Sequence, residues 1–162
     1  MKISIILILS ILTSFTSVAV NAAGIAPSNG TWQPEITSHQ AKGCPSMMQA
    51  ALSQAKMDTS TKTINFSQPF HPNDLFDPKD INLENNPNVK WVNSQPNFWE
   101  VTILNNQEGM ELSLTWQLTL TSKTSMEVTS NLSMKFSKEI ASMMGSTECK
   151  VDSSGHIKRI AE

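Results

Sequence analysis

The second half of the chain alternates between apolar and polar residues. Between residues 110 and 121 every second residue is apolar, and the residues between them are polar or charged. The apolar members are Met110, Leu112, Leu114, Trp116, Leu118 and Leu120. A period of two places these side chains on one face of a β-strand. The pattern therefore predicts a long strand with one buried and one solvated face.

Two further alternating segments flank this strand. After a polar turn at residues 122–124, apolar residues recur at Met126, Val128, Leu132, Met134 and Phe136. Upstream, Trp99, Val101 and Ile103 alternate with polar residues, and a turn at residues 105–109 leads into Met110. These segments predict three successive antiparallel strands. At about 3.3 Å per residue the longer strands exceed roughly 30 Å, so we expect the twisted sheet to curl around an apolar element.

Helical spacing occurs twice. Pro45 suits the first turn of a helix, and the apolar residues after it fall on one helix face. These residues are Met47, Met48, Ala51, Leu52 and Ala55. A second, shorter helix is predicted over residues 138–144, with Ser137 as N-cap and Gly145 as its stop. Its inward residues are predicted to be Ile140, Met143 and Met144.

The remaining strands are shorter. We expect strands at residues 31–37 and 63–67 and a brief one near 89–92. Residues 148–152 and 156–160 are predicted to form a closing hairpin around Ser153, Ser154 and Gly155. The fold class is therefore mainly β, a β-rich α+β domain. About six to eight antiparallel strands form a meander that curls as a barrel or half-barrel around one main helix, with a short second helix.

A proline-punctuated segment separates the two halves of this pattern. Five prolines fall within residues 68–96, and large aromatic residues gather in and around them. The aromatic residues are Phe66, Phe70, Phe76, Trp91, Phe98 and Trp99. A long loop that carries such side chains either packs over an open end of the sheet or acts as a binding lid.

The N-terminus has the features of a secretory signal peptide. Lys2 precedes an apolar run from residue 3 to residue 12, and small residues follow. Val20 and Ala22 suit the −3 and −1 positions of a cleavage site. We therefore expect a signal peptide at residues 1–22 and a single exported domain at 23–162, in the periplasm or outside the cell. The apolar run is shorter than the roughly 20 residues of a membrane span, so no span is expected in the mature chain.

Charge and cysteine content refine this picture. The net charge is −2 and Arg159 is the only arginine, which disfavours binding to nucleic acid or to an anionic membrane. The preference for lysine and the short charged start favour a bacterial source. In an oxidising compartment the two cysteines, Cys44 and Cys149, predict a disulfide.

No catalytic or metal-binding pattern is present. The three histidines lie in separate segments without a partner at metal-ligand spacing, and they are interpreted as single surface or turn residues. The acidic residues Asp74, Asp77, Asp80 and Glu84 lack the calcium-loop spacing. Ser53 and Lys56 match a serine–lysine pattern without the other motifs of those enzymes. We therefore predict no enzyme, no metal and no cofactor.

Gly30-Thr31-Trp32 opens the first predicted strand. This tripeptide resembles the G-x-W start of the lipocalin and fatty-acid-binding barrels. The resemblance implies that Trp32 closes one end of the barrel and that a late arginine, here Arg159, packs against it. It covers three residues, and the second lipocalin motif is absent. An open half-barrel that holds a helix, similar to exported lipid carriers, fits the same pattern.

These observations favour a non-enzymatic exported binding protein for an apolar, lipid-like ligand. Its binding residues are predicted on the inner sheet face and the aromatic loop: Phe70, Phe76, Trp91, Trp99, Leu114, Trp116, Met126 and Met134. The alternative is a protein-interaction module, such as an inhibitor of a secreted or periplasmic enzyme. A ligand carrier needs an internal cavity, whereas an interaction module needs only a filled core.

Overall fold

A computed structural model of the chain describes residues 24–54, 59–76 and 90–162. The predicted signal peptide lies outside these residues. The described elements are strands β1 (Gly30–Lys42), β2 (Lys62–Ile64), β3 (Val92–Gln95), β4 (Phe98–Gln107), β5 (Met110–Ser122), β6 (Ser125–Phe136) and β7 (Glu148–Ala161), and helices α1 (Ser46–Gln54) and α2 (Lys138–Met144). A short 3-10 turn occupies Pro72–Asp74.

All seven described strands belong to one antiparallel sheet in the order β2-β1-β7-β6-β5-β4-β3. The sheet curls into a half-barrel and the two helices are short, which confirms the predicted mainly-β fold class. The three strands predicted from alternation are β4, β5 and β6, and they pair consecutively through hairpins. In β5 the residues predicted to face inward do share one face, since Leu114 and Trp116 lie opposite Ile103 and Val101 of β4.

The predicted closing hairpin at the C-terminal end is wrong. Ser153, Ser154 and Gly155 lie inside β7, which runs without interruption between β1 and β6. Ser and Gly are common in turns, so the sequence pattern alone predicts a turn at these residues. Ser153 and Gly155 instead lie on the inner face of the curled sheet, opposite Ser130 and Val128. At these positions small residues leave room on the inner face.

The bounds of the other strands also differ from the sequence pattern. β1 continues to Lys42 because it pairs with β7 along most of its length, through an irregularity between Ile36 and Ser38. β2 is only three residues long, since it pairs solely with the start of β1. The strand expected near residues 89–92 begins at Val92, and residue 89 is outside the described ranges.

α1 contacts the sheet along a narrow stripe. Met48 and Leu52, one turn apart, pack against the cluster that surrounds the cysteines. Met47 was predicted to share this face but is 84% exposed, and Ala51 is also exposed. Their positions turn them away from the stripe, because adjacent residues on a helix do not share a face. Ala55 lies outside the described residues.

α2 has the predicted bounds and caps. The Ser137 hydroxyl accepts a hydrogen bond from the Ile140 backbone N–H at 3.4 Å, and Gly145 ends the helix in the left-handed conformation at φ 71°. Hydrogen bonds from its own backbone N–H and from Ser137 hold the pKa of the Glu139 carboxyl below its usual range. Met143 is 77% exposed, contrary to its predicted inward position, because this short helix covers the sheet only with its other side. No helix among the described residues is long and apolar enough to cross a membrane.

The predicted disulfide between Cys44 and Cys149 is present, with an S–S distance of 1.98 Å. Cys44 precedes α1, and Cys149 is fully buried near the start of β7. The bond therefore anchors the beginning of α1 to the first residues of β7, an interior strand of the sheet.

Most buried apolar residues belong to one of two separate clusters on the inner face of the sheet, whereas Val101 and Ile103 of β4 are buried outside both. The first, here called the Trp32 cluster, contains Trp32, Ile64, Phe66, Phe70, Leu118, Leu120, Met126 and Ile157. The second, here called the disulfide cluster, contains Met134, Cys149 and Val151, with Met48 and Leu52 packed against it. β6 and β7 run through both clusters, so the same strands carry a filled core near each end.

The Gly30-Thr31-Trp32 tripeptide lies at the outer end of the Trp32 cluster. Trp32 is 1% exposed, and its indole N–H donates to the Ser28 carbonyl at 3.2 Å. Arg159 is its register partner in β7 and donates from Nε to the Asn29 carbonyl at 2.8 Å. A Cβ atom on Gly30 would collide with the Ala161 carbonyl oxygen, which explains the glycine at this position.

Candidate ligand cavity

A cavity of about 400 Å³ lies on the inner face of the sheet, between the Trp32 cluster and the disulfide cluster. Its apolar wall comes from neighbouring strands. The aliphatic and aromatic residues of this wall include Leu114, Trp116, Val128, Leu132, Val151 and Ile157. Leu114, Trp116, Val128 and Leu132 are only half-buried, although they sit on the face that elsewhere forms the core. The cavity therefore leaves large apolar side chains without packed neighbours on one side.

Small residues at the centres of two strands create this space. Along β6 the inward positions are filled by large residues at both ends, Met126 and Met134, and by Ser130 in the middle. β7 repeats the arrangement, because Ser153 and Gly155 lie between Val151 and Ile157. Ser130 and Ser153 are direct cross-strand partners. β6 and β7 therefore carry bulky inward residues where the clusters form and Ser130, Ser153 and Gly155 where the cavity forms.

Phe76 lines the cavity, and two ring contacts hold it in position. Its ring centroid lies 5.4 Å from that of Trp116 and 5.9 Å from that of Trp91, in tilted and stacked geometry respectively. Phe76 and Trp116 both line the cavity, whereas Trp91 stacks on Phe76 and is not part of the lining. Aromatic pairs at such separations are stabilising. They hold Phe76 beside the wall that β5 contributes.

His39 connects the sheet to α1 at the other side of the cavity. One ring nitrogen, Nδ1, lies 2.8 Å from the Ser153 hydroxyl, and the other, Nε2, lies 2.9 Å from the Leu52 carbonyl oxygen. Because a carbonyl oxygen only accepts, Nε2 must carry a proton and donate to Leu52. Ser153 is 7% exposed, so this contact satisfies a buried hydroxyl. Both ring nitrogens of His39 are thus occupied by the protein itself.

Ser130 differs from Ser153 in this respect. Among the described residues, its hydroxyl has no hydrogen-bond partner, and its side chain is half-buried in the cavity wall. Apolar residues flank it along β6, namely Val128 and Leu132. The wall therefore presents one hydroxyl to the interior that has no described protein partner.

The charged residues near the cavity belong to the outer face of the sheet. Glu35 contributes to the rim, but its carboxylate pairs with Lys158 at 3.1 Å and both side chains are more than half exposed. His156 lies opposite Glu127 and Glu35 in the sheet register, on the face opposite to that of Gly155. Neither lysine nor arginine lines the cavity within the described part of the chain.

The structure separates the predicted ligand-binding residues into three groups. Phe76, Leu114 and Trp116 line the cavity, and Trp91 supports Phe76 from behind. Phe70, Trp99 and Met126 belong to the Trp32 cluster or pack against it. Met134 lies in the disulfide cluster.

The first part of the aromatic loop packs into the core. Phe66 and Phe70 are buried, with ring centroids 5.5 Å apart, and Phe70 makes an edge contact with Trp99 at 4.9 Å. Trp32 extends this series through Phe66, at 5.4 Å. Residues 66–70 therefore cover one end of the half-barrel. Residues 77–89 lie outside the described ranges.

Sequence reasoning missed the residues that shape the cavity: His39, Ser130, Ser153 and Gly155. His39 was interpreted as a surface or turn residue but bridges a strand and a helix. Ser130 is polar and is not part of the apolar set that predicts β6, although its position in the alternation is inward. The available signal was this small residue at an inward position, flanked by Val128 and Leu132.

Of the acidic residues Asp74, Asp77, Asp80 and Glu84, the structure describes Asp74. Asp74 accepts hydrogen bonds from the Ser67 hydroxyl at 2.7 Å and from the Ser67 backbone N–H at 2.9 Å. The other acidic residues of that segment lie outside the described ranges, as do Lys56 and the Ser53 side chain. Across residues 24–54, 59–76 and 90–162, no three His, Cys, Asp or Glu side chains are grouped as metal ligands.

In comparisons with known proteins, no family model, no curated protein and no solved structure matches the chain.

Proposed function

We propose that the protein is an exported binding protein that holds an apolar, lipid-like ligand in the cavity between its two clusters. The observation that carries this proposal is the contrast within single strands. β6 and β7 bury large side chains near both ends, yet their centres carry Ser130, Ser153 and Gly155 beside an apolar space of about 400 Å³. That volume falls in the range of small-molecule sites.

Physical chemistry supports a ligand in this position. Protein interiors are close-packed, and apolar surface left unburied forgoes about 25 cal/mol per Å². Leu114, Trp116, Val128 and Leu132 are only half-buried. An apolar ligand that fills the cavity would recover this free energy, and it would bridge the two clusters.

The exported location rests on two features that support each other. Disulfides persist in oxidising compartments, and Cys44 and Cys149 are bonded. The apolar run and small residues at the N-terminus match a signal peptide. We therefore propose that the protein acts in the periplasm or outside the cell.

A cavity-filling substitution tests the proposal. Ser130→Leu places a large side chain in the cavity, whereas Ser133→Leu adds the same side chain to the same strand on the opposite face. The folded, delipidated wild type should bind the apolar fluorophore phenylnaphthylamine saturably, in the micromolar range. Ser130→Leu should lose this binding by tenfold or more and remain folded, and Ser133→Leu should retain it.

Absence of saturable binding by the folded wild type would contradict the proposal. Equal binding by the wild type and Ser130→Leu would place the fluorophore elsewhere on the protein. Either result would favour the alternative function, a protein-interaction module that acts through its polar outer face or loops.

A further inference from the structure

We propose that the cavity selects a neutral amphiphile: a single alkyl-like body that carries an uncharged hydroxyl or carbonyl group, bound at the Ser130 hydroxyl. This inference rests on the proposed function and names the chemical class of its ligand. It follows from the volume of the cavity, from the position of its polar groups and from the charges that line it.

The volume limits the apolar part of the ligand. A cavity of about 400 Å³ equals roughly a dozen water volumes of about 30 Å³ each. A methylene group is similar in size to a water molecule. The space therefore accommodates one alkyl chain of about a dozen carbons, or a compact body of equal volume.

Two hydroxyl groups lie side by side near the centre of the cavity wall. Ser130 and Ser153 are cross-strand partners in β6 and β7, and apolar side chains line the wall on both sides of them. Ser153 is already bonded to His39 at 2.8 Å. The Ser130 hydroxyl therefore provides the hydrogen-bonding site for a ligand, and it can both donate and accept. A hydroxyl or carbonyl group matches it.

The charges around the cavity disfavour an ionised ligand. A buried carboxylate needs a cation or several N–H donors. Neither lysine nor arginine lines the described wall, and His156, which also contributes to the lining, lies on the outer face of β7 opposite Glu127. Both ring nitrogens of His39 are engaged by Ser153 and Leu52. An ammonium group would also lack a buried partner, because the Glu35 carboxylate is exposed and bound to Lys158.

Three probes with the same chain and different polar groups test this selectivity: dodecanol, dodecanoate and dodecyltrimethylammonium. Each probe is titrated against the complex of phenylnaphthylamine with the full mature protein, and displacement of the fluorophore is measured. The probes are kept below their solubility limits or micelle concentrations, at a pH where the carboxylate is ionised. Dodecanol should displace the fluorophore at a concentration at least about tenfold lower than either ion, as expected from the cost of desolvating an unpaired charge.

Ser130→Ala assigns the polar contact. Loss of one neutral hydrogen bond should weaken dodecanol binding about two- to tenfold and leave dodecanoate binding unchanged. Ser133→Ala, on the outer face of the same strand, should change neither. The two alanine variants remove the same group, so a general effect on the fold would appear in both.

The possible outcomes separate the two proposals. Dodecanoate or the ammonium probe binding as tightly as dodecanol would overturn the neutral selectivity while the ligand-binding function stands. A dodecanol preference that survives Ser130→Ala undiminished would overturn the assignment to Ser130. Failure of all three probes to displace the fluorophore, or failure of the fluorophore to bind, would overturn the proposed function itself.

Discussion

Gly155 of β7 lies directly against the backbone of Glu35 in β1: a Cβ atom built on the glycine would sit 2.5 Å from the Glu35 carbonyl oxygen. The obstructing atom belongs to the backbone of a paired strand, so it cannot turn aside as a side chain could. Gly155 also falls at the centre of the inner face, opposite Val128. The glycine thus serves both the close approach of β1 to β7 and the space of the cavity.

Gly155→Ala should therefore destabilise the fold by about 1–3 kcal/mol, the usual cost of overpacking. Urea unfolding followed by tryptophan fluorescence measures this change. Ser154→Ala is the control on the same strand, because it removes only an exposed hydrogen bond to Thr37 at 3.1 Å. Equal stability of Gly155→Ala and the wild type would mean that β1 and β7 are further apart than described.

The same substitution at two positions of β5 should lower the free energy of unfolding by different amounts. Leu118 is fully buried in the Trp32 cluster, so Leu118→Ala should cost about 2–5 kcal/mol. Leu114 shares the strand and the face but borders the cavity and is half-buried. Leu114→Ala should therefore cost about 1 kcal/mol or less. Similar losses in the midpoints of urea unfolding would show that Leu114 is packed as tightly as Leu118.

The disulfide should contribute strongly to stability. Cys44 and Cys149 are separated by 105 positions, and removal of a native disulfide from a small exported domain commonly costs about 2–5 kcal/mol. Cys44→Ala/Cys149→Ala should lower the thermal midpoint, and reductant should lower that of the wild type but not that of the double variant. Ready alkylation of either thiol in the native, unreduced protein would refute the bond.

His39 should control the docking of α1. His39→Ala removes the donor to the Leu52 carbonyl and leaves the buried Ser153 hydroxyl without its partner, at a cost of about 1–3 kcal/mol. In His39→Ala we expect amide hydrogen exchange in residues 46–54 to be faster than in the wild type. Exchange in β5 should change less and serves as the internal reference. Ser38→Ala, at the exposed neighbouring position, should leave both exchange and stability unchanged. Unaltered exchange in His39→Ala would mean that other contacts hold the helix.

Alternation predicted the fold more accurately than it predicted the cavity. In β5, Leu112 to Leu120 lie on the predicted face, because a period of two fixes which side of a strand each residue occupies. The same period gives no information about what lies above that face. Leu114 and Leu118 are therefore indistinguishable in sequence, although one borders a cavity and the other is in a filled core.

Small residues caused the principal error. Ser153, Ser154 and Gly155 have the composition of a turn, and only their pairing with β1 and β6 shows that they continue a strand. Ser130 was excluded from the inner face by its polarity. In both cases the local sequence suggests a turn or a solvated position for a short side chain. The size of that side chain is instead determined by contacts with residues that are distant in sequence. The exposure of Met47 has a similar origin, because the sheet contacts only one stripe of α1.

The sheet order also has a consequence for how the molecule folds. β7 is the last strand along the described chain, yet it lies between β1 and β6 and carries one of the two bonded cysteines. Until β7 is in place, the hairpins of β3 to β6 form one piece and the pair of β1 and β2 forms another. Pairings this distant in sequence are typical of proteins that fold in milliseconds to seconds rather than microseconds. A chain that crosses a membrane from its N-terminus would therefore complete its sheet only after β7 had emerged. Until then it would lack its complete sheet and could still pass through a translocation pore.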